Sequence, residues 1–275
     1  MDSGRQWELF TRLVTTHGEG KRVRSAFEGL VNMEERFGSR GLPLYILLLK
    51  YAILDYIEDD SGLDTRALFG VGGGAPVRPE IHSVVGLERL TNVSSAVSTI
   101  LAEDIPGDLV EAGVWRGGVL VLMAGILEAH GTEGRRVVGA DSFEGLPPPS
   151  HPLDSDRFPP GSFAVQMEDV EATLEVFGLR DRVDLLKGWF ADTLVPSVAG
   201  IEAVSLLRLD GDLYASTYDV LDLLYPLVSP GGFIIVDDYG VLDACRTAVD
   251  DYRTKHGIVD PLIWIDLSGV YWRKR

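Results

Sequence analysis

A single cysteine, Cys245, occurs in the 275 residues. An intrachain disulfide is therefore impossible, and a cysteine-based metal site is excluded with it. Basic charge is also scarce. Twenty-five lysines and arginines stand against 42 acids, a formal net charge of −17. A phosphate-tracking surface needs clustered cations, so no nucleic-acid partner is expected. Long apolar runs are absent too. The most apolar stretch, 42–57, is broken by Lys50 and Asp55, and the N-terminus, with Asp2 and Glu8, has no signal-like segment. A cytoplasmic protein without membrane contact is the expectation. Gly72-Gly73-Gly74 lacks the Lys-Ser or Lys-Thr of a P-loop.

What is present centres on residues 109–118, Leu-Val-Glu-Ala-Gly-Val-Trp-Arg-Gly-Gly. An apolar strand ends there, glycines follow, and Val119 to Leu127 reads as an apolar helix. That layout brings backbone close to a cofactor at a helix N-terminus. The spacing is E-x-G-x-x-x-G-G rather than G-x-G-x-x-G. Glu111 would repel a pyrophosphate but suits a cofactor with a cationic amino-acid end, such as S-adenosylmethionine.

The rest of the chain alternates. Helical patterns are expected at 43–57 and 82–101, the first with one broad apolar face that includes Tyr45, Leu49 and Ile53. That face fits packing on the main domain or on a second subunit, and Tyr45 or Tyr51 could line a substrate. Asp59 to Pro79 reads as a turn-rich linker. Beyond the glycine motif, strands are expected at 136–140, 183–187, 203–209, 232–237, 262–266 and 270–273. Helices fall between them at 117–130, 167–178, 190–199, 215–228 and 241–257. Alternation of this kind predicts a mostly parallel sheet covered on both faces. Only Leu267-Ser268-Gly269 separates the last two strands, too short for a parallel crossover. The last strand is therefore antiparallel, the arrangement of class I methyltransferases. A Pro-rich loop at 146–163, right after the second strand, is expected to act as a lid.

Strand tips carry the candidate chemistry. Asp141 ends the second strand, where a carboxylate accepts ribose hydroxyls of an adenosine cofactor, with Ser142 next. Trp189 ends the third and is placed either to stack on an adenine or to fill core. Asp210 and Asp212 end the fourth, and Asp237 and Asp238 the fifth. Parallel topology makes those tips neighbours. Carboxylates that crowd together call for a cation, and all-oxygen ligands select Mg²⁺, Mn²⁺ or Ca²⁺ over zinc. Asp212 is instead expected to cap the helix beginning near Tyr214. Such a metal suits hydroxyl methylation, because coordination stabilises the alkoxide and a neighbouring carboxylate can take the proton.

Four motifs, 105–118 (Ile-Pro-Gly-Asp-Leu-Val-Glu-Ala-Gly-Val-Trp-Arg-Gly-Gly), 140–147 (Ala-Asp-Ser-Phe-Glu-Gly-Leu-Pro), 206–217 (Leu-Leu-Arg-Leu-Asp-Gly-Asp-Leu-Tyr-Ala-Ser-Thr) and 231–239 (Gly-Gly-Phe-Ile-Ile-Val-Asp-Asp-Tyr), resemble the macrocin O-methyltransferase (TylF-like) family over roughly residues 80–273. The resemblance implies an S-adenosylmethionine- and Mg²⁺-dependent enzyme that methylates sugar hydroxyls on glycosylated natural products. It implies Mg²⁺ ligands at Asp210, Asp237 and Asp238, with Asp210 also the general base. It further implies cofactor contacts at Glu111 (methionine end), Gly113, Gly117, Asp141 and Ser142 (ribose), and Trp189 (adenine). His82 matches a family histidine only loosely, and His151 lies in the lid loop. The expected organisation is a helical extension, 1–80, that shapes the acceptor site and a homo-oligomer contact, followed by a methyltransferase domain, 81–275.

Three other readings are separable from this one. A catechol-type phenol as acceptor would react more readily without metal. A hydride-transferring Rossmann enzyme is disfavoured by Glu111 and the terminal hairpin. A non-catalytic scaffold would have lost site acids, and here every one is present.

Overall fold

The computed structural model describes residues 46, 49, 50, 53, 82–154 and 158–275. Its elements in chain order are α1 (Leu87–Ala102), β1 (Asp108–Ala112), α2 (Gly118–Ala129), β2 (Val137–Asp141), α3 (Met167–Val176), β3 (Val183–Lys187), α4 (Phe190–Thr193), α5 (Pro196–Ala199), β4 (Val204–Leu209), α6 (Tyr214–Leu224), β5 (Val228–Val236), α7 (Asp243–Lys255), β6 (Ile263–Trp264) and β7 (Val270–Arg273). They form one seven-stranded sheet in the order β3-β2-β1-β4-β5-β7-β6. Strands β1 to β5 pair in parallel, and β7 runs antiparallel to both β5 and β6. This is the class I methyltransferase fold read from the sequence, antiparallel last strand included.

Side-chain alternation divides the core into two layers. Leu109, Val137, Leu206, Phe233 and Ile235 face one side, with Leu90 and Val97 of α1 and most of α2. Val110, Val138, Leu207, Leu209, Ile234 and Val236 face the other, with Val220 and Leu221 of α6 and Val249 of α7. Helix α2 is apolar all round because it is enclosed all round: every residue from Gly118 to Leu127 is buried. The expected helix 190–199 is two short helices instead. Pro196 disfavours a helical conformation at Val195, which is extended-like (φ −57°, ψ 121°), and a new turn starts at the proline.

Helix 43–57 falls mostly outside the described residues, as do Tyr45, Tyr51 and the rest of the 1–80 extension. Its four described positions are helical, and Leu49 and Ile53 are fully buried in the α1/α2 layer. Lys50 donates to Thr91 of α1 (3.2 Å). No helix among the described residues is long and apolar enough to cross a membrane.

The chain leaves β1 toward β2 and β3, then returns to place β4 on the other side of β1. The C-terminal ends of β1 and β4 therefore bound a topological switch point, where open α/β sheets bind ligands.

Candidate active site

At that switch point the two strands come very close. Gly113 has φ +94°, and a Cβ there would lie 1.9 Å from the carbonyl oxygen of Asp210. Only glycine permits both the conformation and the approach. Gly117, also left-handed at φ 82°, is the N-cap of α2. Between them the turn is held by Asp141, whose Oδ2 accepts the backbone N–H of Val114 (2.8 Å) and of Trp115 (3.2 Å). Its Oδ1 accepts from Phe143 N (2.9 Å). Asp141 thus shapes the turn from the tip of β2. Ser142 closes a local turn, accepting from Glu144 N (3.0 Å) and donating to the Gly145 carbonyl (2.8 Å). Trp189, at the tip of β3, is 40 % exposed, which removes the core reading of that residue.

The acids converge as the topology requires. One carboxylate oxygen from each of Asp210, Asp237 and Asp238 lies within 4.8 Å of the others. Asp238 Oδ2 is buried and has no hydrogen-bond partner among the described residues. Burial, reinforced by Asp210, Asp212 and Asp237, pushes Asp238 well above the ordinary carboxylate range. Burial and Asp237 also raise Asp210, against the pull of Arg208 and Arg89. Asp212 is raised to about 7 by burial and by Asp210 and Asp237. Carboxylates that resist ionisation because they crowd one another are a fitting environment for a hard, oxygen-seeking dication.

Two arginines complete the site, and sequence reasoning missed both. Arg208 is 1 % exposed. Its Nη1 donates to Glu111 Oε1 (2.6 Å), and its Nη2 reaches Asp237 Oδ1 (2.5 Å) and Asp210 Oδ2 (2.9 Å). Arg208 and Glu111 are register partners on β4 and β1, which is why they meet. A charge inside the apolar run Leu206-Leu207-Arg208-Leu209 was the available signal, since a buried strand rarely carries one without a partner. Arg89 of α1 pairs with Asp237 and with Asp266 (3.0 Å) of the β6–β7 loop. Nothing local to α1 announces that contact. In the same loop Ser268 Oγ donates to the Asp237 carbonyl (2.7 Å). Glu111 itself is 1 % exposed. Burial raises it to about 8 although Arg208 pulls it down, and its Oε2 has no partner among the described residues.

Asp212 does not cap α6. The first residue of that helix, Tyr214, donates its N–H to Asp154 Oδ1 (3.0 Å) in the Pro-rich loop. Asp212 has φ 59° and turns toward the other acids. Asp154 Oδ2 also accepts from Ser150 N and His151 N (2.8 Å each), and the His151 ring stacks on Tyr214 at 4.0 Å. The loop base is pinned by Leu146 N to Ser162 O (2.9 Å) and Gly161 N to Leu146 O (2.9 Å). His82 packs on α3, its ring edge-on to Phe177 and Nδ1 3.5 Å from Thr173 Oγ1.

Comparison with known proteins places the chain among O-methyltransferases. Residues 65–274 match the family described as Macrocin-O-methyltransferase (TylF). The 8-demethyl-8-(2,3-dimethoxy-alpha-L-rhamnosyl)-tetracenomycin-C 4'-O-methyltransferase of Streptomyces olivaceus is 46 % identical over 243 residues, 84 % of this chain and 92 % of that protein. The mycinamicin III 3''-O-methyltransferase of Micromonospora griseorubida is 40 % identical over 252 residues, 86 % of this chain and 98 % of that one. The solved structure of the O-methyltransferase NovP superposes with a TM-score of 0.76 at 39 % identity, covering 85 % of this chain and 99 % of that chain.

Proposed function

The chain belongs to the macrocin-O-methyltransferase (TylF) family, and from that premise we propose that it transfers the methyl group of S-adenosylmethionine to a hydroxyl of a deoxysugar on a glycosylated natural product, with Mg²⁺ at the acidic cluster. The observation that carries the reading is the meeting of Asp210, Asp237 and Asp238 beside the glycine turn. A relative named for a rhamnosyl-bearing acceptor supports the sugar.

Asp210, Asp237 and Asp238 would hold the cation, and Glu111, Asp141, Ser142 and Trp189, with the backbone at Gly113 and Gly117, would hold the methyl donor. When bound, the donor supplies an electrophilic methyl group and the cation lowers the pKa of a coordinated hydroxyl. Asp210 accepts the hydroxyl proton. Glu111 Oε2, buried and without a partner among the described residues, would take the donor's ammonium. Gly113 lets the base approach the turn that carries the donor, so the chain contributes chiefly alignment. The Pro-rich loop, anchored on α6 by Asp154, bounds the acceptor.

Calorimetric titration with S-adenosylmethionine, with NADH as control, tests the donor. Methylation of rhamnosyl glycosides, assayed with EDTA and with Mg²⁺ restored, tests the metal. Failure to bind S-adenosylmethionine in the presence of Mg²⁺ would overturn the reading, and EDTA-insensitive transfer would remove the metal from it.

A further inference from the structure

Arg208 is a full positive charge enclosed in the sheet, bonded at once to the acid assigned to the donor and to two acids assigned to the cation. Nothing about filling the core requires it. Its register partner on β5 is Ile235, which packs the same layer without charge. A buried ion pair commonly stabilises no more than an apolar isostere would. Three features point to another role. The planar five-donor fork of an arginine reaches separated carboxylates from two different nitrogens, whereas a lysine offers one compact point charge. Its Nη2 sits on Asp210 and Asp237, two of the three carboxylates at the candidate cation site. Glu111 Oε2, Asp238 Oδ2 and Arg208 Nε are left buried without hydrogen-bond partners, so the network is closed only in part from within.

We propose that Arg208 is a resident counter-ion that stands in for the divalent cation: it holds the acids together before loading, and a cation must take oxygens of Asp210 and Asp237 from it. This rests on the reading of those acids as the cation site. Arg208 is a positioning residue in this account, touching neither acceptor nor donor carbon. It raises the stability of the cation-free protein and lowers affinity for the cation. Arg89, which is bonded to Asp237 but not to Asp210 and is more exposed, has a weaker part of the same kind.

The test uses EDTA-stripped protein and Mn²⁺ as probe, with free Mn²⁺ followed by its paramagnetic resonance signal and melting temperature followed in parallel. Arg208→Met is expected to melt lower without metal, to bind Mn²⁺ about tenfold or more tightly, because a buried like charge is gone, and to show a larger metal-induced rise in Tm. Arg208→Lys keeps the charge, so its Mn²⁺ affinity stays near wild type although its metal-free Tm falls. A purely structural role predicts the opposite pattern, with both variants losing affinity in step with Tm. Equal or weaker Mn²⁺ binding by Arg208→Met overturns the proposal. Should that variant fail to fold, Glu111→Gln/Arg208→Met is compared with Glu111→Gln, and equal affinities there overturn it as well. Absence of Mn²⁺ binding by the wild type would instead bring down the metal reading beneath it.

Discussion

The two edges of the sheet solve the same electrostatic problem in opposite ways. At the N-terminal edge, arginines are matched to acceptors. Arg135 donates to the carbonyls of Gly107 (2.5 Å) and Ile105 (2.7 Å) and to Ser205 Oγ (2.6 Å). Arg136 pairs with Asp108 through Nη2 (2.6 Å) and donates to the Gly200 carbonyl (2.7 Å). A hollow of about 550 Å³ opens at this edge, between Leu101, Pro106, His130 and Glu133, but it holds no convergent set of acids. At the C-terminal edge, Glu111, Asp210, Asp212, Asp237 and Asp238 meet Arg208 and Arg89, and buried polar atoms are left over. Strand β1 carries both solutions within five residues, Asp108 at one end and Glu111 near the other. The first edge carries a hollow, with His130 Nε2 buried and unpartnered among the described residues, and the second carries the convergent acids.

Mutation can sharpen that contrast. The largest effect is expected for Asp210→Asn, which should lower the rate of methyl transfer about 10²- to 10⁴-fold while leaving Tm near wild type. Parallel kinetics and melting curves check it, and a rate within a few-fold of wild type would break the assignment of base. Gly113→Ala should cost roughly 3 kcal/mol or more, since its Cβ collides with backbone rather than a movable side chain. Denaturant unfolding measures that loss. At the opposite edge Arg135→Met should cost about 1–3 kcal/mol by orphaning the Ile105 carbonyl, since Gly107 O still accepts from Ser205 Oγ, with kcat unchanged well below the melting temperature. A fall in kcat would show that the edges are not separate.

The smallest expected effect is on pH dependence. Asp212, about 7, and Glu111, about 8, both lie above their ordinary values of 3.8 and 4.5. The folded, cation-free protein therefore holds protons that the unfolded chain releases earlier. The associated stability is complete below about pH 4, where both states are protonated, and is lost as pH rises from there through the folded-state values to roughly pH 8, with no further loss above. Melting of EDTA-stripped protein across that interval reads it, and added Mg²⁺ should flatten the curve.

Much of this architecture is written in local pattern. Continuous apolar runs in β1, β2 and β4, the enclosed apolar α2, and glycines at 113 and 117 are properties of neighbouring residues, so they can be read without the fold. The acids at the tips of β4 and β5 are legible for the same reason, once strands are taken as parallel. The partners of those acids are not. Arg89 reaches Asp237 across 148 positions, and Asp154 caps α6 across 60. Nothing in the vicinity of either residue encodes its partner. The reading of Asp212 as a cap fails because a short acid before a helix satisfies the local rule, while a long-range competitor already holds the N–H. Strand β5 begins at Val228, four residues earlier than its apolar pattern shows. Pro230 and two glycines disguise the start as a turn, and the register jump between Val204 and Leu206 absorbs the extra residues.

The order of the strands has a kinetic corollary. Strand β7 follows β6 in the chain yet lies between β5 and β6, and its loop supplies Asp266 to Arg89 and Ser268 to Asp237. The acidic pocket is therefore assembled from α1, the middle strands and the terminal hairpin, through contacts of long sequence separation, the kind that slows folding. A half-folded intermediate with β1 to β5 in place would display the acids without the brace that sets their spacing. Tight metal binding would then report completed folding of the whole sheet rather than the presence of its ligands.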